Sequence, residues 1–330
     1  MKVLLTGNAG FIGSVIHRKL AGHDVTGVDI RGRYSEDARD FFRDNCCSYY
    51  DLVIHCAAQV GGRVLVESPM VHAENLEIDA ALFQWAEHAR PGRIVYVSSV
   101  AVYPKHLQKG EYKLRPLDST QLFDKFNISS FSGDAHIVPR DLSLVSAHVL
   151  HEDNALNFLF PYPDELYGWA KLTGEMMAAR SSVPVSIPRP FTVYGEDQDP
   201  VFPFANIAMQ IRERRDPVTV WGSGKQIRDF IHVDDVADGI LEMAKQGIDG
   251  PVNICTGRAT SLNDLIRLMA DKAGYYPDIE HLNKTEGLAY RVGDPKKLHE
   301  FYVPKVTLEE GVARAQSLGD GADQVAAGEL

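Results

Sequence analysis

Tyr167 and Lys171 stand four residues apart in Tyr167-Gly168-Trp169-Ala170-Lys171, which puts a phenol and an ammonium on one helical face, one turn apart. An unperturbed tyrosine titrates near 10, so only about one phenol in a thousand is ionised at neutral pH. A neighbouring lysine and a second close cation would both favour the phenolate. Lowering the pKa by about three units takes roughly 4 kcal/mol, within reach of two cations in a desolvated cleft. The phenol is then expected to act as a base towards a hydroxyl proton. Ser99 ends an apolar run at 93–99, where ligands bind beyond the carboxyl ends of parallel strands, and its hydroxyl can share that proton.

The N-terminal stretch is expected to hold a positively charged nicotinamide. An apolar run at 3–5 empties into Gly7-Asn8-Ala9-Gly10-Phe11-Ile12-Gly13, ahead of an amphipathic segment at 11–20. Gly7 permits the tight turn, Gly10 lets backbone approach a pyrophosphate, and Gly13 lets the helix pack close to the strand. The helix N-terminus then faces the anion. A second strand at 24–30 carries Asp29, whose carboxylate would bind the adenosine ribose hydroxyls and repel a 2′-phosphate. That favours NAD over NADP, while Arg31 and Arg33 pull the other way. Ala57 and Ala58 end a strand expected at 51–58 with small side chains, suiting a cofactor laid against backbone. Gly61 and Gly62 either open room for a substrate or form a plain loop.

These groups need strands and helices in alternation to position them. Helices are expected at 36–45, 70–89, 164–180, 203–214, 233–245 and 261–273, and further strands at 185–188, 218–221 and 251–254. The fold class is α/β, a Rossmann-type doubly wound parallel sheet. Only one helical segment fits between Asp29 and the strand at 51–58, so the outer strand of the first half is expected to be missing or shortened. The NAD-binding domain spans 1–185 with an atypical insertion at about 105–149, read as a lid, an oligomer contact or a disordered loop. Residues 186–330 form mainly a smaller substrate-binding lobe, with some returns to the first domain.

At 330 residues the chain can bury a large core, and 24% charged with 45% hydrophobic residues is ordinary for a globular protein. A net charge of -11 argues against nucleic-acid or anionic-membrane partners. Anionic ligands therefore need local arginines. Cys46, Cys47, Cys56 and Cys255 show neither zinc spacing nor a disulfide framework, so no metal is expected. A strand starting at residue 2 and no apolar run near the roughly 18 residues of a spanning helix point to a cytoplasmic protein.

Taken together, Gly7 to Gly13, Asp29, Ser98-Ser99 with Val102-Tyr103, and Tyr167 with Lys171 resemble the extended short-chain dehydrogenases, in particular the NAD-dependent nucleotide-sugar epimerases and dehydratases. Arg189-Pro190-Phe191-Thr192-Val193-Tyr194-Gly195 and the run from Gly222 to Asp235 resemble that family's substrate-domain signatures. The resemblance implies that Ser99, Tyr167 and Lys171 are catalytic, with Lys171 also holding the nicotinamide ribose. It implies that Arg228 and Arg291 contact the nucleotide diphosphate, that Thr192 lines the sugar site, and that helices near 70–89 and 164–180 build a homodimer. Val100 and Ala101 stand where the family's 4,6-dehydratases carry an acidic pair, and Ala101 where its 3,5-epimerases carry a cysteine. Hydride chemistry alone then remains, most simply C4 epimerisation of a UDP-sugar through a 4-keto intermediate. Dehydration, decarboxylation or reduction from the same intermediate stays open, as does a non-catalytic NAD sensor or scaffold.

Overall fold

Val3, Leu4 and Leu5 are wholly buried and alternate between two apolar clusters, as side chains of one strand between two covered faces must. They belong to β1 (Lys2–Thr6) of a computed structural model that describes residues 1–32, 35–60, 70–108, 152, 165–284 and 287–317. In chain order α1 (Phe11–Lys19), β2 (Asp24–Val28), α2 (Ala38–Asp44), β3 (Leu52–His55), α3 (Met70–Ala89) and β4 (Ile94–Tyr96) follow. After them come α4 (Glu165–Ala178), β5 (Val185–Pro190), β6 (Thr192–Tyr194), α5 (Pro203–Arg212), β7 (Val218–Trp221), β8 (Ile227–Arg228) and β9 (Phe230–His232). The remaining elements are α6 (Val233–Gln246), β10 (Gly250–Ile254), β11 (Thr260–Ser261), α7 (Leu262–Ala273), β12 (Ile279–Leu282), β13 (Tyr290–Arg291), α8 (Lys296–His299) and α9 (Leu308–Ser317).

The main sheet has six strands in the order β10-β5-β4-β3-β1-β2, all parallel. One face buries Val3, Leu5, Ile54 and Val95 against Val15 and Ile16 of α1 and Val236 and Ile240 of α6. The other buries Leu4, Val53, Ile94 and Tyr96 against Phe41 and Phe42 of α2 and Leu82 and Phe83 of α3. Each fully buried large aliphatic side chain contributes about 1.5–3 kcal/mol. This is the doubly wound α/β fold expected. Its edge strand is β2, and among the described residues α2 alone lies between β2 and β3, so the first half does lack its outer strand. Strand order reverses between β1 and β3, which opens the binding crevice at their carboxyl ends.

A third cluster, with Phe204, Ile207, Val218, Phe230, Leu265 and Met269, packs α5 and α7 on β7 and β9. The strand expected at 24–30 stops at Val28, and the one expected at 51–58 at His55. Asp29, Ala57 and Ala58 therefore lie just past strand ends. Lys105–Gln108, placed by sequence in the patternless insertion, is a 3₁₀ turn in which Gln108 is buried and donates from Nε2 to Tyr103 O at 2.8 Å. The rest of that insertion from 109 to 149, Arg33, Gly61, Gly62 and the acidic tail after Ser317 lie outside the described residues.

The fit of α1 on β1 supplies a test. A Cβ on Gly13 would sit 2.0 Å from the Gly7 carbonyl oxygen and 2.8 Å from its carbon, backbone atoms that cannot swing aside. Gly13→Ala should lower the urea unfolding midpoint by the equivalent of about 1–3 kcal/mol or more and weaken dinucleotide binding. Gly239→Ala in α6, whose new methyl meets nothing nearer than 3.5 Å, should leave stability unchanged or slightly raised.

Candidate active site

Tyr167 and Lys171 both lie on α4, and Ser99 follows β4. The Ser99 hydroxyl stands near enough to the Tyr167 phenol to favour its ionised form, and its oxygen accepts from Ala101 N at 3.2 Å as cap of the 3₁₀ turn Val100–Val102. Neighbouring Ser98 turns away from the phenol and donates to Glu175 Oε1 at 2.5 Å. The Lys171 ammonium is buried, 3.9 Å from Asp79 Oδ1 and 4.8 Å above the Tyr96 ring. Burial pushes the Tyr167 phenol above its ordinary value, the Asp79 carboxylate adds to that rise, and the nearby Ser99 hydroxyl opposes it. The lysine charge is directed at Asp79.

The position of α4 is set by a buried ion pair. Arg189, with no exposure, donates from Nε to Glu175 Oε1 at 2.8 Å and from Nη2 to Oε2 at 2.5 Å. Its Nη1 donates to Tyr103 OH at 3.1 Å and to Glu152 O at 2.8 Å, and Tyr103 OH donates to Asn253 Oδ1 at 2.5 Å. Burial opposes the guanidinium charge, but the Glu175 carboxylate more than restores it and lifts the pKa further. One side chain on β5 thus fastens α4, the turn after β4, and β10.

The glycine loop fits a dinucleotide on several counts. Gly7 has φ +75, a left-handed conformation, and a Cβ there would lie 2.7 Å from Ala57 N. α1 starts at Phe11 with Gly10 as N-cap and no side-chain cap, so the first-turn N-H groups of Phe11, Ile12 and Gly13 lack a capping acceptor and face an anion site. Asn8 Oδ1 is buried in this loop with no hydrogen-bond partner among the described residues. Asp29 Oδ2 accepts from Ala9 N at 2.9 Å and Oδ1 from Arg31 N at 2.8 Å, which fixes the carboxylate at the mouth of the loop. Ala57 and Ala58, both half-buried, face the same turn from the end of β3.

The substrate-side residues come together through strands short enough to escape sequence notice. β13 pairs in parallel with β8, and Arg291 is the direct partner of Arg228. Two half-buried guanidinium-bearing side chains therefore leave one face of neighbouring strands, spaced by about 4.8 Å. Arg291 Nε donates to Gln108 Oε1 at 2.7 Å. Thr192 opens β6 and pairs with Phe230, its N-H bonding Asp229 O at 3.0 Å. Trp221 is 55% exposed at the end of β7 with Lys284 Nζ 4.3 Å from its ring.

Sequence reasoning missed Asp79, His55, Tyr96 and Thr6 behind Lys171, and the Arg189–Glu175 pair. The signal was present for Asp79: it falls at i, i+3, i+4 and i+7 spacing with Leu82, Phe83 and Ala86, so helical periodicity turns a carboxylate into the core.

Comparison with known proteins agrees with this geometry. A family model described as the NAD dependent epimerase/dehydratase family matches residues 3–124 and 139–255. A Methanocaldococcus jannaschii protein provisionally named a UDP-glucose 4-epimerase is 29% identical over 94% of this chain and 96% of its own. Among solved structures, a Bacillus cereus UDP-glucuronic acid 4-epimerase in complex with UDP-glucuronic acid and NAD is 25% identical, with TM-score 0.72 over 98% of this chain and 100% of its own. A Thermotoga maritima UDP-glucose 4-epimerase with UDP-glucose is 24% identical, with TM-score 0.74 over 98% of this chain and 99% of its own. The Rossmann-type sheet, the glycine loop with its orphaned Asn8 oxygen and the match across most of the sheet lead to one conclusion: this chain belongs to the NAD dependent epimerase/dehydratase family.

Proposed function

We propose that the protein inverts C4 of a UDP-sugar. The observation that carries the reading is the convergence of Ser99, at the carboxyl end of β4, on Tyr167 of α4, with Lys171 one turn along the same helix. Further support comes from the family match and from relatives named for this reaction. Gly7, Gly10 and Gly13 receive the pyrophosphate with the N-H groups of Phe11 and Ile12, Asp29 takes the adenosine ribose, Ala57 and Ala58 floor the cleft, and Lys171 holds the nicotinamide ribose. Bound there, NAD supplies a hydride acceptor and donor for the sugar carbon.

Tyr167 takes the proton of the sugar 4-hydroxyl and returns it to the 4-keto oxygen after the sugar has presented its other face. Ser99 carries that proton between sugar and phenol and steadies the keto oxygen. Arg228 and Arg291 clamp the diphosphate, a role that two adjacent forks suit in a protein of net charge -11. Thr192 borders the sugar. Val100 and Ala101, which follow Ser99, offer neither acid nor thiol to divert the keto sugar to dehydration.

The lobe after residue 185 supplies the substrate side of the cleft. The working unit is a homodimer, because α4 leaves Leu166 52%, Trp169 39% and Met176 49% exposed, beside the exposed Leu76 of α3. The reaction runs in the cytoplasm. None of the four cysteines forms a disulfide, and no described helix is long and apolar enough to cross a membrane.

Purified protein given NAD and UDP-glucose, UDP-N-acetylglucosamine or UDP-glucuronic acid should form the C4 epimer of one of them; no epimer from any sugar contradicts the proposal. Tyr167→Phe should cut kcat by about 10²–10⁴-fold with the fold intact by circular dichroism, and parental turnover would remove the phenol from the mechanism. Arg228→Lys should raise KM for the UDP-sugar about tenfold or more while leaving kcat within about twofold, as expected for lost uniform binding. Leu166→Glu with Met176→Glu should halve the mass found by light scattering; an unchanged mass places any subunit contact elsewhere.

A further inference from the structure

Behind the phenol and the ammonium lies a charged cluster for which the proposed reaction has no use. Asp79, 1% exposed in the middle of α3, accepts from Tyr96 OH at 2.5 Å on Oδ2 and from His55 Nε2 at 3.2 Å on Oδ1, the oxygen that Lys171 Nζ faces at 3.9 Å. His55 Nδ1 is in turn bonded to Thr6 Oγ1 at 2.8 Å. An ionised carboxylate only accepts, so the His55 Nε2 carries the imidazole proton and the Thr6 hydroxyl donates to Nδ1. Burial lowers the His55 pKa and keeps the ring neutral. A neutral ring cannot offset a buried anion, and the matching charge comes from Lys171, itself wrapped by the Tyr96 face.

We propose that Asp79 is a positioning residue for the Tyr167–Lys171 pair, its buried carboxylate anchoring the Lys171 ammonium between α3 and α4 and drawing part of that positive charge away from the phenol. This deepens the reading of Tyr167 as the proton-transferring group and rests on it. Each element packed around Asp79 contributes a named group. β3 brings His55, and just beyond it Cys56, whose thiol burial pushes up to about 12 against the opposing charge of Lys171. β4 brings Tyr96, α4 brings Lys171 and Tyr167 and, acting on Tyr96, Glu175. β1 brings Thr6, and α2 brings Arg39, which is engaged by Asp37 at 2.7 Å and Glu77 at 2.6 Å.

The sign of the effect follows. Burial raises the Asp79 carboxyl, but Lys171 and the bonds from His55 and Tyr96 outweigh it and hold the group below the ordinary carboxylate value, hence ionised. For the phenol, burial comes first and Asp79 second, both upward. Neutralising Asp79 without changing its shape removes one anion from the surroundings of the phenol and releases the field of the ammonium. Both changes ease proton loss from Tyr167.

Asp79→Asn and Asp79→Thr, each loaded with NAD, are titrated by the ultraviolet difference absorbance of tyrosinate, with Tyr167→Phe in the same background subtracted. Two neutral replacements guard against one failing to fold. The Tyr167 midpoint should fall by about one unit relative to the parent, about tenfold more phenolate at any pH below the midpoint. The acid limb of kcat against pH should move the same way. A midpoint that stays put while only the melting temperature drops overturns the proposal and leaves Asp79 a structural residue. A shifted midpoint in protein that forms no epimer supports the proposal and overturns the substrate reading instead. A parent in which Tyr167→Phe removes no titrating phenol overturns both.

Discussion

The proposed chemistry depends on a guanidinium that has no water around it. Arg189 makes four side-chain hydrogen bonds inside the protein, two of them to Glu175, and Glu175 belongs to the helix that carries Tyr167 and Lys171. A buried ion pair of this kind adds little net stability, because two desolvated charges cost nearly what their attraction returns, whereas losing one partner costs about 3–5 kcal/mol. What the pair gives is register. Because Ser98 donates to Glu175 and Tyr103 accepts from Arg189, on either side of Ser99, the hydroxyl and the phenol are located by one network rather than by two independent packings.

Within that frame the charges around α4 do not simply assist the phenol. Lys171 is the cation that sequence reasoning assigns to Tyr167, yet the carboxylate of Asp79 faces it from α3 and raises the phenol pKa from a distance. Burial and Asp79 together hold the phenol above its ordinary value. In the proposed mechanism a positive nicotinamide would oppose both, so that proton removal would follow binding of the oxidised cofactor. The acidic surroundings and the cofactor thus act on one titration in opposite senses.

Much of this was legible in the sequence, and the reasons differ by residue. The tight turn at Gly7 and the close packing at Gly13 read correctly because backbone clearance is a local property, and Gly13 has no room for even a methyl. The missing outer strand showed as a shortage of residues between Asp29 and Leu52. Tyr167 and Lys171 read correctly as partners on one helix, but not the direction in which the ammonium points, because its partner lies 92 positions away on another helix. Arg228 and Arg291 were expected on one diphosphate, but their pairing as direct strand neighbours depends on β8 and β13, two residues each, below the length at which periodicity carries information.

The central claim is that a hydride leaves and returns to the same sugar carbon while Tyr167 handles only the hydroxyl proton. Deuterium at C4 of the UDP-sugar tests it directly. Turnover in ordinary water should give the inverted sugar with the deuterium still on C4. Deuterium lost to water, or solvent hydrogen found on a neighbouring carbon, would contradict the account.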